Sequence, residues 1–106
     1  MSTDDDLGSF FALPPFKPDE ALQRLRRELK DRKPLQELGT GPVTRFGLQG
    51  VTVVELKLVE GGIDCAIAKK VSQRPDWLRS SIRSTADVRK ALDAVTRQLK
   101  LWVDED

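Results

Sequence analysis

Residues 51–71 read VTVVELKLVEGGIDCAIAKKV, and the alternation inside this stretch decides the fold. A period of two places successive side chains on opposite faces of a strand. Val54, Leu56 and Leu58 therefore share one side of VTVVELKLV (51–59), and Cys65, Ile67 and Val71 continue that side along IDCAIAKKV (63–71). The intervening Glu60-Gly61-Gly62 is a hairpin turn. A two-residue Gly61-Gly62 loop pairs Leu58 with Cys65 and Leu56 with Ile67, which makes this the side for helices to cover. The other face carries Val53, Glu55, Lys57, Val59, Ala66 and Ala68, a more apolar set than full exposure requires.

Outward from this hairpin the pattern continues. VTRFGL (43–48), followed by Gln49-Gly50, reads as an earlier antiparallel strand. WLRSSIRS (77–84) reads as an optional fourth strand, with Leu78 and Ile82 on one face and Trp77, Arg79 and Arg83 on the other. Before the strands the period is that of a helix. Pro-rich PPFKP (14–18) leads into EALQRLRRELKDRK (20–33), where Ala21, Leu22, Leu25 and Leu29 share one face. Asp19 is placed to cap this helix and Pro34 to end it, with Leu35 and Leu38 folding back before the GTGP turn at 39–42. After the strands, Ser84 and Asp87 form a short version of a capping box. Val88, Ala91, Leu92, Val95, Leu99 and Trp102 then trace a second helical stripe.

The expected fold class is α+β: an antiparallel three- or four-stranded sheet with two helices, in the order α-β-β-β-(β)-α. At 106 residues the chain is one domain in size. It divides into an acidic N-terminal tail (1–12), in which Phe10 and Phe11 near the end, with Leu13 just beyond, are anchors, a single α+β domain (13–103) and an acidic end (104–106). Hydrophobic residues at 39% and charged residues at 33% suit a folded chain better than a disordered one. No apolar run reaches the roughly 18 residues of a membrane span, and the acidic start differs from a secretory signal, so cytoplasmic residence and no membrane partner are expected.

The net charge of +1 is unevenly spread. Six of the 17 acids sit in Asp4-Asp5-Asp6 and Asp104-Glu105-Asp106, leaving residues 7–103 with 18 basic side chains against 11 acids, a balance of +7. A basic body can hold an acidic partner, with the tails as competitors; the plainer role of the tails is solubility.

The residues for catalysis are sparse. There is no His and no Tyr, so an imidazole base, a His-dependent triad and a Cys/His zinc set are excluded. GTGPVTRFGLQG (39–50) lacks the lysine and hydroxyl of a phosphate-binding P-loop, and its glycines read as turns. Cys65 falls on the apolar face of a strand, a packing position rather than a nucleophile's. Asp87 and Asp93 do not align on one helix face, and Asp64 and Asp76 have no periodic relation. No enzyme activity, cofactor or metal is expected.

Two basic surfaces remain. One is Arg24, Arg26, Arg27, Lys30, Arg32 and Lys33 on the first helix; the other is Lys69, Lys70, Arg74, Arg79 and Arg83 on the last strands, beside Trp77. In protein contact, Trp77 and Arg79 serve as buried anchors. In nucleic-acid binding, the cations neutralise phosphates and Trp77 stacks on a base. The plainest alternative makes them a solvated face with Trp77 as a lid on the sheet edge.

The order α-β-β-β-α resembles that of the double-stranded RNA-binding domain, in which a lysine-rich start of the second helix grips phosphates. The matching place here reads RSTADVRKAL (83–92), with its basic pair Arg89-Lys90 a turn inside the helix and Lys69-Lys70 on the third strand. The resemblance is one of order without the motif, and it implies RNA binding only weakly. The expected function is therefore a small non-enzymatic interaction domain acting through protein contact or self-association, with RNA or DNA binding as the alternative. Val53, Val59, Ala66 and Ala68 are the candidates for self-association, as a homodimer through that face or an exposed sheet edge.

Overall fold

The hairpin expected at 51–71 forms the centre of a five-stranded antiparallel sheet. The computed structural model describes residues 16–39 and 41–104. In chain order the elements are α1 (Pro18–Lys30), β1 (Gln36–Gly39), β2 (Val43–Leu48), β3 (Val51–Val59), β4 (Gly62–Ala68), β5 (Trp77–Ile82) and α2 (Thr85–Asp104). The strands lie in their sequence order, β1-β2-β3-β4-β5, each pairing antiparallel with the next. The α+β class stands. The optional strand expected at 77–84 forms over Trp77–Ile82, and a further one, β1, precedes the expected first strand, so the α-β-β-β-α order of the RNA-binding domain does not hold. The acidic tail at 1–12, with Leu13, Thr40 of the GTGP turn, and the last two acids lie outside the described residues.

In the central hairpin, Leu56 pairs with Cys65 and Leu58 with Ile63. The register thus differs by two residues from the one expected, and a shift of two returns every side chain to the same face. The cause lies in the turn. Val59 pairs with Gly62, so the loop is Glu60-Gly61, with Gly61 at φ +74°. Gly62 belongs to β4, where a Cβ would lie 2.7 Å from the Ile82 carbonyl of β5; close strand approach, not turning, requires glycine there. The β2–β3 hairpin closes through Gln49-Gly50 with φ 54° and 82°, the two left-handed positions of a type I′ turn.

One face of the sheet packs on the helices. Phe46, Val54, Leu56, Ile63, Cys65, Ile67 and Ile82 are buried there with Leu25 and Leu29 of α1 and Val88, Ala91, Leu92, Val95 and Trp102 of α2. In α1 the cap differs from expectation. Lys17 is the N-cap and Pro18 opens the helix, while the Asp19 carboxylate accepts from the neighbouring Glu20 N–H at 3.0 Å. In α2, Ser84 Oγ accepts from Asp87 N–H at 3.1 Å, as a capping box requires. Asp87 reaches back one residue further than expected, to the Arg83 N–H at 2.9 Å.

Candidate functional site

The basic residues of α1 do not form one free surface. Glu37 stands opposite Phe46 in the β1–β2 register, which turns it toward the helices. There it accepts from Arg26 Nε at 2.8 Å and lies 3.3 Å from Lys30 Nζ. The Arg26 guanidinium, more than any other neighbour, holds the Glu37 carboxyl below its ordinary range, and the pair raises Arg26 in turn. Arg32 bonds the Glu28 carbonyl at 2.8 Å and Thr96 Oγ1 at 2.9 Å, joining α1 to α2. Arg24 is half-buried beside Phe16, Thr85 and Val88 at a small cleft of about 170 Å³. Arg27 and Lys33 are exposed and make no ion pair among the described residues.

The second basic set is divided between the β4–β5 connection and β5 with its end. Lys69 and Lys70 lie beyond the end of β4 at Ala68, so they belong to the β4–β5 connection and not to a strand. Arg74 is exposed in the same connection. Trp77 opens β5 and is half-buried against the core, Arg79 lies mid-strand, and Arg83 follows its end, with Cγ 3.0 Å from where a Gly62 Cβ would sit. Trp77 and Arg83 are thus about 20 Å apart at ~3.3 Å per residue. Lys69, Lys70, Arg74, Arg79 and Arg83 make no ion pair among the described residues. The structure brings Lys69, Lys70, Arg74 and Trp77 to one end of β5 and leaves Arg83 at the other.

The face away from the helices is not an uncovered apolar patch. Val53 is the extra residue of a bulge, since Phe46 pairs with Val54 and Gly47 with Thr52; it is fully buried and part of the core. Ala68 is also fully buried, beside Trp77 in register. Ala66 is 4% exposed, between Glu55 and Arg79 in one cross-strand row, and Val59 is half-buried. What this face chiefly offers solvent is charge: Arg45 paired with Glu55 at 3.4 Å, then Lys57, Asp64 and Arg79. The apolar exposure lies elsewhere, and includes Leu78 of β5 at 45%.

Neither β1 nor a cleft of about 460 Å³ is visible in the periodicity of the sequence. This cleft lies between the end of α2, the tip of the β2–β3 hairpin and the entry to β1, lined by Pro34, Gln36, Leu48, Gln49, Val71, Trp102 and Val103. These come from four separate stretches, so no local pattern announces them. None of them is charged, so Gln36 and Gln49 supply the polar side chains and no ion pair with a phosphate or carboxylate forms there. Cys65 is buried, and burial pushes its thiol up to about 11. The described residues contain no cluster of acids and cysteine arranged to hold a metal, and no described helix is long and apolar enough to cross a membrane. Compared with known proteins, the chain matches no family model, and no curated protein or solved structure is similar enough to count as a match.

Proposed function

We propose that this chain is a non-enzymatic interaction module, resident in the cytoplasm, that works through protein–protein contact, self-association included. The observation that carries this reading is the outer strand β5. It has six residues, of which Leu78, Arg79, Ser80 and Ser81 are exposed, and Trp77 stands at its head. An unpaired strand edge offers main-chain hydrogen bonds to a partner, and tryptophan and arginine are the residue types that most often anchor such contacts.

Nucleic-acid binding is the second reading, supported by Lys69, Lys70 and Arg74 standing exposed at the same end as Trp77. It ranks second because Trp77 already packs part of its ring on the core, and Arg26, Lys30 and Arg32 of the first basic surface are engaged by Glu37 and Glu28. Fluorescence anisotropy with labelled single- and double-stranded RNA and DNA tests the ranking. A body of this charge should bind weakly at about 50 mM salt and lose that binding at about 200 mM. Micromolar affinity that survives the higher salt and disappears in Trp77→Ala would reverse the order.

A further inference from the structure

The two edges of the sheet are finished differently. β1 is four residues long and its register breaks between Glu37 and Gly39, a feature that discourages pairing at an edge. β5 is six residues long, keeps an unbroken register with β4, and pairs with no other described strand.

The direction of each backbone group of β5 follows from one hydrogen bond. Lys69 N–H donates to the Asp76 carbonyl at 2.9 Å, one step beyond the Ala68↔Trp77 pair in the same register. This bond occupies a hydrogen-bonding position of the β4–β5 register, and such positions alternate along an antiparallel ladder. Leu78, Ser80 and Ile82 accordingly turn their N–H and C=O groups toward β4, while Trp77, Arg79 and Ser81 turn theirs outward. Arg83 is the next outward position, and its N–H is taken by the Asp87 carboxylate. Among the described residues the edge is thus bounded at Arg83 and open at Trp77, Arg79 and Ser81.

We propose that β5 pairs antiparallel with β5 of a second copy of this chain about a twofold axis at Ser80, joining the two sheets into one. This rests on the self-association reading above and fixes its surface and register. Outward groups must meet outward groups, and like faces must meet like faces, which leaves few registers. A twofold axis at Arg79 sets that guanidinium against its own copy, and one at Ser81 sets Arg79 against the partner's Arg83. Like charges directly opposite disfavour both. With the axis at Ser80, Arg79 faces the partner's Ser81, and each such pair exchanges both backbone hydrogen bonds. Leu78, exposed in the single chain, stands opposite the partner's Ile82. Trp77 stands opposite the partner's Arg83, a cation beside an aromatic ring.

Sedimentation velocity of the full chain from micromolar to millimolar concentration should show a reversible dimer of twice 11.9 kDa. Ser81→Pro removes an outward donor that no described strand uses, so far-UV circular dichroism and the urea midpoint should change little. It should nevertheless weaken the dimer by about tenfold or more. The register has its own test. Ser80 faces its own copy as a non-hydrogen-bonded pair, with Cα atoms about 4.5 Å apart, within the range of about 4.4–6.8 Å that a disulfide spans. Because Cys65 is the neighbour of Ser80 in β4, the test uses Cys65→Ala/Ser80→Cys, which should form a linked dimer on mild oxidation. Cys65→Ala/Leu78→Cys should not, its two sites being about 13 Å apart along the strands. A dimer that Ser81→Pro leaves intact, with no link through position 80, would overturn the β5 interface while leaving self-association standing. A strict monomer at millimolar concentration would overturn both.

Discussion

The indole N–H of Trp102 donates to the carbonyl of Ala68 across 2.9 Å, tying the end of α2 to the end of β4. Gln98 Nε2 reaches the same carbonyl at 3.1 Å and that of Lys69 at 3.1 Å, so the chain leaving β4 is held from the helix above it. Trp102 is 3% exposed, and the bond satisfies the one polar atom of a large buried ring. Trp102→Phe should cost about 1–2 kcal/mol, because Gln98 still serves the carbonyl. Trp102→Ala should cost about 3–5 kcal/mol by opening a cavity. Urea unfolding followed by circular dichroism measures both, and equal costs would contradict this division.

The Glu37–Arg26 pair predicts a pH dependence. The folded carboxyl lies below its ordinary value of 4.5, so its contribution is full above that value and is lost as the pH falls through the depressed folded one. Asp87, held low chiefly by the Arg83 N–H, adds a loss of the same sign. Glu37→Gln should lower stability at neutral pH and flatten the acid limb of a stability–pH curve. Equal losses at neutral and acid pH would show that packing, not ionisation, is what the substitution disturbs.

Cys65 should be inert while the chain is folded. Its thiol, pushed up to about 11 by burial, is protonated at neutral pH and shielded from reagent. Labelling by a thiol-specific disulfide reagent at neutral pH should follow unfolding, accelerating with urea in step with the loss of structure. Fast labelling of the native chain would place Cys65 at an accessible site.

Gln49 carries a left-handed backbone, φ 54°, that side chains other than asparagine, aspartate and glycine adopt at a cost of roughly 1–2 kcal/mol. Gln49→Asn keeps the amide and suits the type I′ turn, so it should raise stability by about 0.5–1 kcal/mol. Gln49→Val should lower it. The urea midpoints decide.

Where the sequence was legible, periodicity was strong and local. β3 and β4 show their alternation plainly, and the stripe from Val88 to Trp102 leaves no other reading than a helix. β1 was hidden because QELG has no β-branched residue and only four positions; pairing with β2, not propensity, makes it a strand. The burial of Val53 was hidden for a related reason. A bulge is a mismatch between two strands, and neither strand records it alone. That the basic surface of α1 is partly engaged is equally hidden, because Glu37, which holds two of its cations, sits on that short strand. Trp77, Arg79 and Arg83 are visible as residue types, but their line along an edge depends on β5 being outermost among the described strands, which no local pattern encodes.

Residue-resolved amide hydrogen exchange by NMR, recorded at low micromolar and at millimolar concentration, tests the central claim most directly. Leu78 and Ser80 should be protected at both, their N–H groups being bonded within the chain. Arg79 and Ser81 should exchange freely in the dilute sample and become protected together in the concentrated one, while Gly61 in the β3–β4 turn stays fast throughout. Free exchange at Arg79 and Ser81 at both concentrations would contradict the account, because it would leave the edge of β5 open to water.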